Sequence, residues 1–265
     1  MNIAVIGCGN MATPIVKSIY AKHSDIQFHT YTPTHTRALQ LAQAVNGTHH
    51  QELSSLQKEK INFWLIACKP QQLSNLATDL GKDFKSQNII SILAATSIEK
   101  LKQSFDTEKV VRIMPNTPSL VGQGISLMLS SDNVDQSEQK LIYDFFTACG
   151  LVIKLANEKE FDQLTVFTGS GPGYIFRFAQ AYAAKLKEMG HDQKLIRLLL
   201  NQLFVGSSAL MNSSSDSFEA MVHNVSSKGG VTIEAINIFN RHDLDEIVSQ
   251  SIDSALKRSD ELNTL

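Results

Sequence analysis

The sequence predicts an α/β fold in which a doubly wound parallel sheet is followed by an all-helical C-terminal domain. Short apolar runs alternate with amphipathic helical segments through the first half of the chain, and this alternation is typical of βαβ units. A glycine-rich turn follows the first apolar run. Strand-like runs disappear from about Phe161, where long helical patterns replace them.

Five short apolar runs in the first half are bounded by turn residues and are predicted as strands. They span residues 2–6, 26–31, 61–67, 89–93 and 110–114. The segments 11–22, 35–45 and 71–80 carry apolar residues at helical spacing and are predicted as connecting helices. Residues 150–155 have the pattern of a last strand of this sheet.

The change of pattern places a domain boundary between residues 158 and 159. Residues 1–158 are predicted to form the sheet domain and residues 159–265 the helical domain, with helices over 174–187, 193–211 and 244–262. No Pro-rich or Ser-rich linker separates the two. We therefore expect them to pack closely.

Composition excludes several classes of protein. The 265 residues are 43% hydrophobic and 19% charged, with a formal net charge of −2 and no long basic run, so neither nucleic acid nor an anionic membrane is an expected partner. Cys8, Cys68 and Cys149 are widely separated and do not cluster with the eight histidines in the sequence, so no metal site is expected. Free thiols and the absence of a signal-like N-terminus predict a cytoplasmic protein.

The N-terminal strand leads into a G-x-G-x-x-A turn and then a helix. Gly7 permits a tight turn, Gly9 lets a pyrophosphate approach the backbone, and Ala12 allows close packing of helix against strand. This order predicts a Rossmann-type dinucleotide site in residues 1–158, with the phosphates at a helix N-terminus. A glycine-rich turn that merely connects two elements is the alternative.

The end of the second predicted strand favours NADPH, with NADH as the poorer donor. An Asp or Glu that would bind an adenosine ribose hydroxyl is absent there, and Thr32 and Arg37 offer a hydroxyl and a guanidinium to a 2′-phosphate. The alternative is that the threonines of this segment cap the next helix and that Arg37 is a solvated surface charge.

Further cofactor contacts are expected at the ends of the next two strands, because a dinucleotide lies across the carboxyl ends of a parallel sheet. Cys68 is interpreted as a packed thiol, since no partner base accompanies it. The predicted cofactor contacts are Ile6, Gly7, Gly9, Asn10, Met11, Thr32, Arg37, Ala67, Cys68, Lys69, Pro70, Leu93, Ala94 and Ala95.

Three more segments combine glycine or proline with polar residues: 112–118 (RIMPNTP), 168–174 (TGSGPGY) and 224–232 (NVSSKGGVT). Each is expected to interrupt a regular element. Together with the N-terminal turn and residues 67–70 (ACKP), they resemble the pyrroline-5-carboxylate reductase family over the whole chain. The resemblance implies reduction of 1-pyrroline-5-carboxylate to L-proline with NADPH, and a homodimer with interleaved C-terminal helices that often assembles further.

The resemblance gives the domain 159–265 roles in dimerisation and substrate binding. The matching positions imply that Thr232 is the catalytic hydroxyl at the imine nitrogen, with Asn224 beside the cofactor. The implied substrate contacts are Asp216, Ser227, Gly229, Gly230, Val231 and Thr232. Independently, glycines before a helix that begins near Thr232 would expose N–H donors to a carboxylate; the alternative is a helix N-cap after a flexible turn.

Some residues depart from the family pattern. Lys228 stands where the family has proline, and its ammonium either contacts the substrate carboxylate or, as we favour, is solvated. Asp216 aligns with a family acid but lacks the Pro-Gly anchor nearby. Two alternatives remain open: a related β-hydroxyacid dehydrogenase, and an NADPH-binding protein that has lost its chemistry.

Overall fold

The computed structural model describes residues 1–81 and 87–263, and the domain predicted over 159–265 therefore ends with two residues outside the description. Within these ranges the chain forms an eight-stranded sheet in the order β3-β2-β1-β4-β5-β6-β7-β8. The strands are β1 (Asn2–Ile6), β2 (Gln27–Tyr31), β3 (Thr48–His49), β4 (Phe63–Ile66), β5 (Ile89–Ser91), β6 (Val110–Pro115), β7 (Gly124–Ser130) and β8 (Gly150–Lys154).

Every predicted strand is present, and the sheet also contains β3 and β7. All neighbouring strands pair in parallel except β6 and β7, which are antiparallel. An antiparallel neighbour needs no helical crossover, and a short 3-10 turn over Thr117–Val121 connects β6 to β7. The predicted doubly wound α/β fold is thus confirmed, with one antiparallel pair added.

The described residues of the first half also contain six helices. They are α1 (Ala12–Lys22), α2 (Thr36–Ala44), α3 (Leu53–Leu56), α4 (Leu73–Leu80), α5 (Ile98–Phe105) and α6 (Gln136–Phe146). Ser97 begins α5 with a side-chain oxygen that accepts the Lys100 N–H, and Asp135 begins α6 with a capping box to Glu138.

The sheet is buried on both faces. Along β1, Ile3 and Val5 belong to one hydrophobic cluster, whereas Ala4 and Ile6 belong to another. Because successive side chains of a strand point to opposite faces, the two clusters lie on opposite sides of the sheet. This burial explains the apolar runs of β1 and β4, and it leaves the strand ends as the accessible part of the sheet.

The C-terminal half is helical, as predicted. It contains α7 (Glu158–Glu188), α8 (Gln193–Ser213), α9 (Phe218–Val225), α10 (Val231–Arg241) and α11 (Leu244–Asn263). The chain divides into two compact units, one of Met1–Pro172 with Leu256–Leu265 and one of Gly173–Ala255. No helix in the described part of the chain is long and apolar enough to cross a bilayer.

The expectation that residues 168–174 interrupt a regular element is wrong, because α7 runs through them. Pro172 has no N–H to donate to the carbonyl of Thr168, four residues earlier. In its place, the side-chain Nδ2 of Asn116 donates to the Thr168 oxygen at 2.9 Å. Asn116 Oδ1 accepts the Ile125 N–H at 2.9 Å. A side chain from the 112–118 segment therefore satisfies the carbonyl that proline leaves free.

Arg112 connects the same segment to the start of α7. Its side chain is 4% exposed and forms ion pairs with Glu158 and, at 3.5 Å, with Asp162. The guanidinium also lies 4.1 Å from the centroid of the Phe161 ring. Burial raises the pKa of Asp162, and the nearby Arg112 opposes this shift. The polar residues of the 112–118 segment thus hold α7 against the sheet.

Candidate functional site

A groove of about 670 Å³ opens where the carboxyl ends of β1, β2 and β4 meet. Ligands of doubly wound sheets bind in this place, because loops diverge there and leave a crevice. Eight predicted cofactor residues line it: Ile6, Gly7, Gly9, Thr32, Arg37, Ala67, Cys68 and Lys69. Residues that are far apart in sequence are therefore brought together as a dinucleotide site requires.

The two glycines of the turn have different roles. Gly7 has φ +97°, and a Cβ on it would lie 2.5 Å from the backbone oxygen of Ala67. Gly7 is therefore required by the fold itself. A Cβ on Gly9 would meet no protein atom within 4 Å, so the protein's own packing does not require glycine there. The open space beside Gly9 faces the groove, where a pyrophosphate needs close access to the backbone.

Helix α1 begins beside this turn without a side-chain cap. Its N-cap is Met11, and the N-cap side chain makes no hydrogen bond to the helix. In its first turn the Thr13 N–H donates to Gly9 O at 3.1 Å, and Pro14 has no N–H. The Ala12 N–H and the positive end of the helix dipole are therefore the features of this terminus that favour an anion such as a phosphate.

The end of the groove beside β2 carries a buried hydroxyl and an exposed guanidinium. Thr32 is 8% exposed, and its Oγ1 is buried with no hydrogen-bond partner in the described structure. Arg37 lies in the first turn of α2 and lines the groove. The N-cap of α2 is His35, and no side chain caps this helix. The alternative in which the threonines serve as caps is therefore not supported.

Helix α4 contributes residues that the sequence did not indicate. Gln72 lines the groove from a 3-10 turn over Pro70–Gln72. Asn75, Leu76 and Asp79 line it from α4. Asp79 places a carboxylate among the lining residues, opposite in charge to Arg37 and Lys69. These residues carry no local motif, since only the packing of α4 beside the strand ends brings them there.

Other predicted cofactor residues lie outside the groove lining. Asn10 lines a neighbouring depression that shares Gly9 and Arg37 with the groove. Pro70 begins the 3-10 turn after β4 and lines a different cavity. Leu93 is buried in the core, and Ala94 and Ala95 follow it, beyond the end of β5. Their contacts with a cofactor remain predictions.

The two thiols of the groove are protonated at neutral pH. Burial raises the pKa of Cys8 to about 12 and that of Cys68 to about 11. A protonated thiol is a poor nucleophile. This agrees with the interpretation of Cys68 as a packed side chain.

The predicted substrate residues lie together on the second unit, around α9 and the start of α10. Asn224 donates from Nδ2 to Asp216 Oδ2 at 3.4 Å, although the sequence assigned one to the cofactor and the other to the substrate. Gly229 has φ +75°, and a Cβ on Gly230 would lie 2.6 Å from Ser227 Oγ. The positive φ of Gly229 therefore favours glycine, whereas a side chain at Gly230 would require Ser227 to move.

Helix α10 begins at Val231, close to the predicted start. Its N-cap is Gly230, which has no side chain to cap the helix, and the N–H of Gly230 donates to Ser227 O at 2.9 Å. The N–H groups of the first turn therefore remain available as donors. Val231 is 90% exposed, and Thr232 and Lys228 are exposed as well. An open helix N-terminus beside a hydroxyl is suited to binding a carboxylate.

Comparison with known proteins decides the family. A pyrroline-5-carboxylate reductase of Vibrio alginolyticus is 30% identical over 269 residues, which cover 99% of this chain and 98% of the relative. The chain belongs to the pyrroline-5-carboxylate reductase family. It is thereby an NAD(P)H-dependent oxidoreductase. The reductase of Pasteurella multocida is also 30% identical, over 270 residues that cover all of this chain and 98% of its own.

The two halves also match separate family descriptions. Residues 158–262 match "Pyrroline-5-carboxylate reductase dimerisation", and residues 2–95 match "NADP oxidoreductase coenzyme F420-dependent". The pyrroline-5-carboxylate reductase of Streptococcus pyogenes aligns with a TM-score of 0.87 at 25% identity, covering 100% of this chain and 99% of its own. That of Plasmodium falciparum, solved with NADP bound, aligns with a TM-score of 0.86 at 23% identity over 99% and 98%. The resemblance inferred from the motifs is confirmed.

Proposed function

We propose that this chain reduces 1-pyrroline-5-carboxylate to L-proline with a hydride from NADPH. The observation that carries the proposal is the 30% identity to a pyrroline-5-carboxylate reductase along nearly the entire length of both chains. The groove at the strand ends and the glycine turn before α10 support it, because the reaction needs a dinucleotide site and a site for a small carboxylate.

The groove suits NADPH better than NADH. Gly9 and the N-terminus of α1 would hold the pyrophosphate, and Arg37 with Thr32 would hold the 2′-phosphate. The unpartnered hydroxyl of Thr32 supports this assignment, since a buried hydroxyl without a partner is costly unless a ligand pairs with it. No carboxylate ends β2 to repel a 2′-phosphate.

The turn before α10 is the proposed substrate cradle. The backbone N–H groups that follow Gly230 would donate to the substrate carboxylate, and the positive end of α10 favours that charge. Ser227 would add a hydroxyl, and Asp216 lies next to Asn224 at the edge of the same cluster. Lys228 is exposed and has no assigned contact in the cradle.

Thr232 is the proposed catalytic hydroxyl. Its hydroxyl would donate to the nitrogen of the neutral imine and accept from the N–H of the protonated imine, so it can orient the ring and assist its protonation. When bound, NADPH supplies the hydride that reduces C5 of the imine. The residues of this chain then contribute alignment and exclusion of water, which are large terms when the transfer is direct.

We propose a homodimer with interleaved C-terminal helices, and a larger homo-oligomer would be built from such dimers through surfaces outside that pairing. Within residues 173–255, all of which the structure describes, Ile196 and Leu200 are the buried hydrophobic residues, whereas Phe176 is 65% and Leu198 61% exposed. So much exposed apolar surface is typical of a unit that is completed by a partner.

The proposed location is the cytoplasm. Cys8, Cys68 and Cys149 are free thiols, which the reducing conditions of the cytoplasm maintain.

The steady-state kinetics of two Thr232 variants test the catalytic assignment. Thr232→Ala should lower kcat by about 100-fold, because it removes the donor at the imine nitrogen. Thr232→Ser keeps a hydroxyl and should retain most of the activity. NADPH affinity, measured by fluorescence titration, should be the same in both. Equal activity of the two variants would contradict the role of the hydroxyl.

Activity assays of the wild-type chain with an imine and with 3-hydroxy acids distinguish the alternative functions. Oxidation of 3-hydroxy acids in place of imine reduction would identify a β-hydroxyacid dehydrogenase. NADPH binding without turnover at any imine concentration would identify a protein that has lost its chemistry.

A further inference from the structure

Two buried histidines and a carboxylate form a cluster on β2 and on the segment that follows β3. His29 and His50 are 5% and 6% exposed, and Nδ1 of His29 lies 3.0 Å from Nε2 of His50. Glu59 offers a carboxylate oxygen on the exposed side, and one ligand atom from each residue lies within 4.8 Å of the others. None of the three belongs to the lining of the cofactor groove.

Hydrogen bonds fix the protonation of His50. Ser55 Oγ donates its hydrogen to Glu52 O at 2.7 Å, so it accepts from His50 Nδ1 at 3.1 Å. A neutral ring with a proton on Nδ1 has a lone pair on Nε2. This nitrogen faces His29. Ser55 fixes the orientation of the His50 ring, as the hydrogen-bond partner of a metal-binding histidine commonly does.

The fold does not satisfy His29 by itself. With a lone pair on His50 Nε2, His29 Nδ1 carries the proton of the hydrogen bond between the rings. The other ring nitrogen, Nε2, is buried and has no hydrogen-bond partner among the described residues. Hydrogen bonds among the described residues therefore use only one of the two ring nitrogens of His29.

We propose that His29, His50 and Glu59 bind a divalent first-row transition metal ion, for which Zn²⁺ is the probe. Two imidazoles and one carboxylate are ligands that Zn²⁺ accepts, whereas Mg²⁺ and Ca²⁺ prefer oxygen alone. Nitrogen ligands about 2.0–2.1 Å from tetrahedral zinc lie about 3.4 Å apart, so the two rings need to separate only slightly from their 3.0 Å contact.

The ion would take the place of the hydrogen bond between the two rings. His29 would bind in its other neutral tautomer, with the proton moved from Nδ1 to Nε2, so both facing nitrogens bind the metal and no net proton is released from the two neutral rings. Glu59 closes the third position from the surface, and the fourth position is open to water. The sequence did not indicate this site, because 21 residues separate the histidines and only the pairing of β2 with β3 brings them together.

Isothermal titration of the tag-free, EDTA-treated full chain with Zn²⁺ tests the proposal. We expect one ion per chain, and the same binding heat in buffers of different ionisation enthalpy, because the two neutral rings and the carboxylate release no net proton. His50→Gln should weaken binding by about 100-fold and Ser55→Ala by about 10-fold. Glu59→Gln changes an exposed side chain, so it should weaken binding by about 10-fold without affecting folding. His191→Gln, an exposed histidine outside the cluster, is the control and should bind as the wild type does.

Two outcomes would overturn the proposal. One is that wild-type protein binds Zn²⁺ no more tightly than His50→Gln. The other is that Glu59→Gln, Ser55→Ala and His191→Gln all bind Zn²⁺ as the wild type does, which would place the ion elsewhere. A second readout is the visible spectrum of the Co²⁺ complex, which should change from the form of hydrated Co²⁺ in the wild type and in His191→Gln but not in His50→Gln.

Discussion

The bond from Asn116 to the helix around Pro172 predicts a measurable coupling between these two residues. Asn116→Ala removes the donor to the Thr168 oxygen, which Pro172 cannot replace. A buried carbonyl left without a donor costs about 1–3 kcal/mol. The loss of the Ile125 N–H bond to Asn116 adds about 1 kcal/mol.

Pro172→Ala restores a backbone N–H that reaches the same carbonyl. In that background Asn116→Ala should cost less by about 1–3 kcal/mol, because Thr168 keeps a partner. The double-mutant cycle thus isolates the Thr168 bond, whereas the Ile125 bond is lost in both backgrounds.

Urea denaturation of the wild type, the two single variants and the double variant measures this coupling. Thermal denaturation is a second measurement, in which each kcal/mol of coupling shifts the melting temperature by about 2–4 °C in a chain of this size. Additivity within about 0.5 kcal/mol would show that the two residues act independently. That result would refute the role assigned to Asn116.

Three more predictions concern the groove. Gly7→Ala should destabilise the fold by about 2–4 kcal/mol, because its Cβ would meet Ala67 and its φ is positive. Gly9→Ala should leave the melting temperature unchanged and weaken NADPH binding about 10-fold. Equal effects of the two variants on stability would contradict this difference. Arg37→Ala should weaken NADPH binding by about 10- to 100-fold and leave NADH binding unchanged, as measured by fluorescence titration. Equal losses of affinity for both cofactors would exclude a 2′-phosphate contact. Alkylation of Cys68 by iodoacetamide at pH 8 should be about 100-fold slower than that of a thiol with the ordinary pKa, since burial raises its pKa to about 11 and so lowers its thiolate fraction; mass spectrometry follows the rate, and reaction at the speed of a free thiol would contradict the shift.

The strands of the sheet could be predicted from sequence because both faces are buried. A parallel strand covered on both faces is a nearly continuous apolar run, and β1 and β4 are of this kind. Strand β3 has two residues, which is too short for any pattern. Strand β7 pairs antiparallel with β6 and follows it without an α-helix between them, so it does not fit the alternation of strands and helices on which the strand predictions rest.

The segment 168–174 shows where local propensity gave the wrong answer. Glycines and a proline favour a break, and nothing within the segment indicates otherwise. The helix continues because Asn116, more than 50 residues away in sequence, bonds the carbonyl that the proline leaves free. A tertiary hydrogen bond of this kind has no local signal.

The cofactor groove was predictable in part. Gly7 and Gly9 form a local fingerprint whose residue types follow from backbone geometry. Asn75 and Asp79 belong to the groove only because α4 packs beside the strand ends. The histidine cluster was invisible for the same reason, since the pairing of two strands creates it.

The central claim is tested most directly by the initial rate of NADPH oxidation with 1-pyrroline-5-carboxylate, with chiral analysis of the product. We predict turnover in which one L-proline forms for each NADPH consumed, and a lower rate with NADH at equal concentration. Tight NADPH binding without proline formation at any imine concentration would contradict the claim.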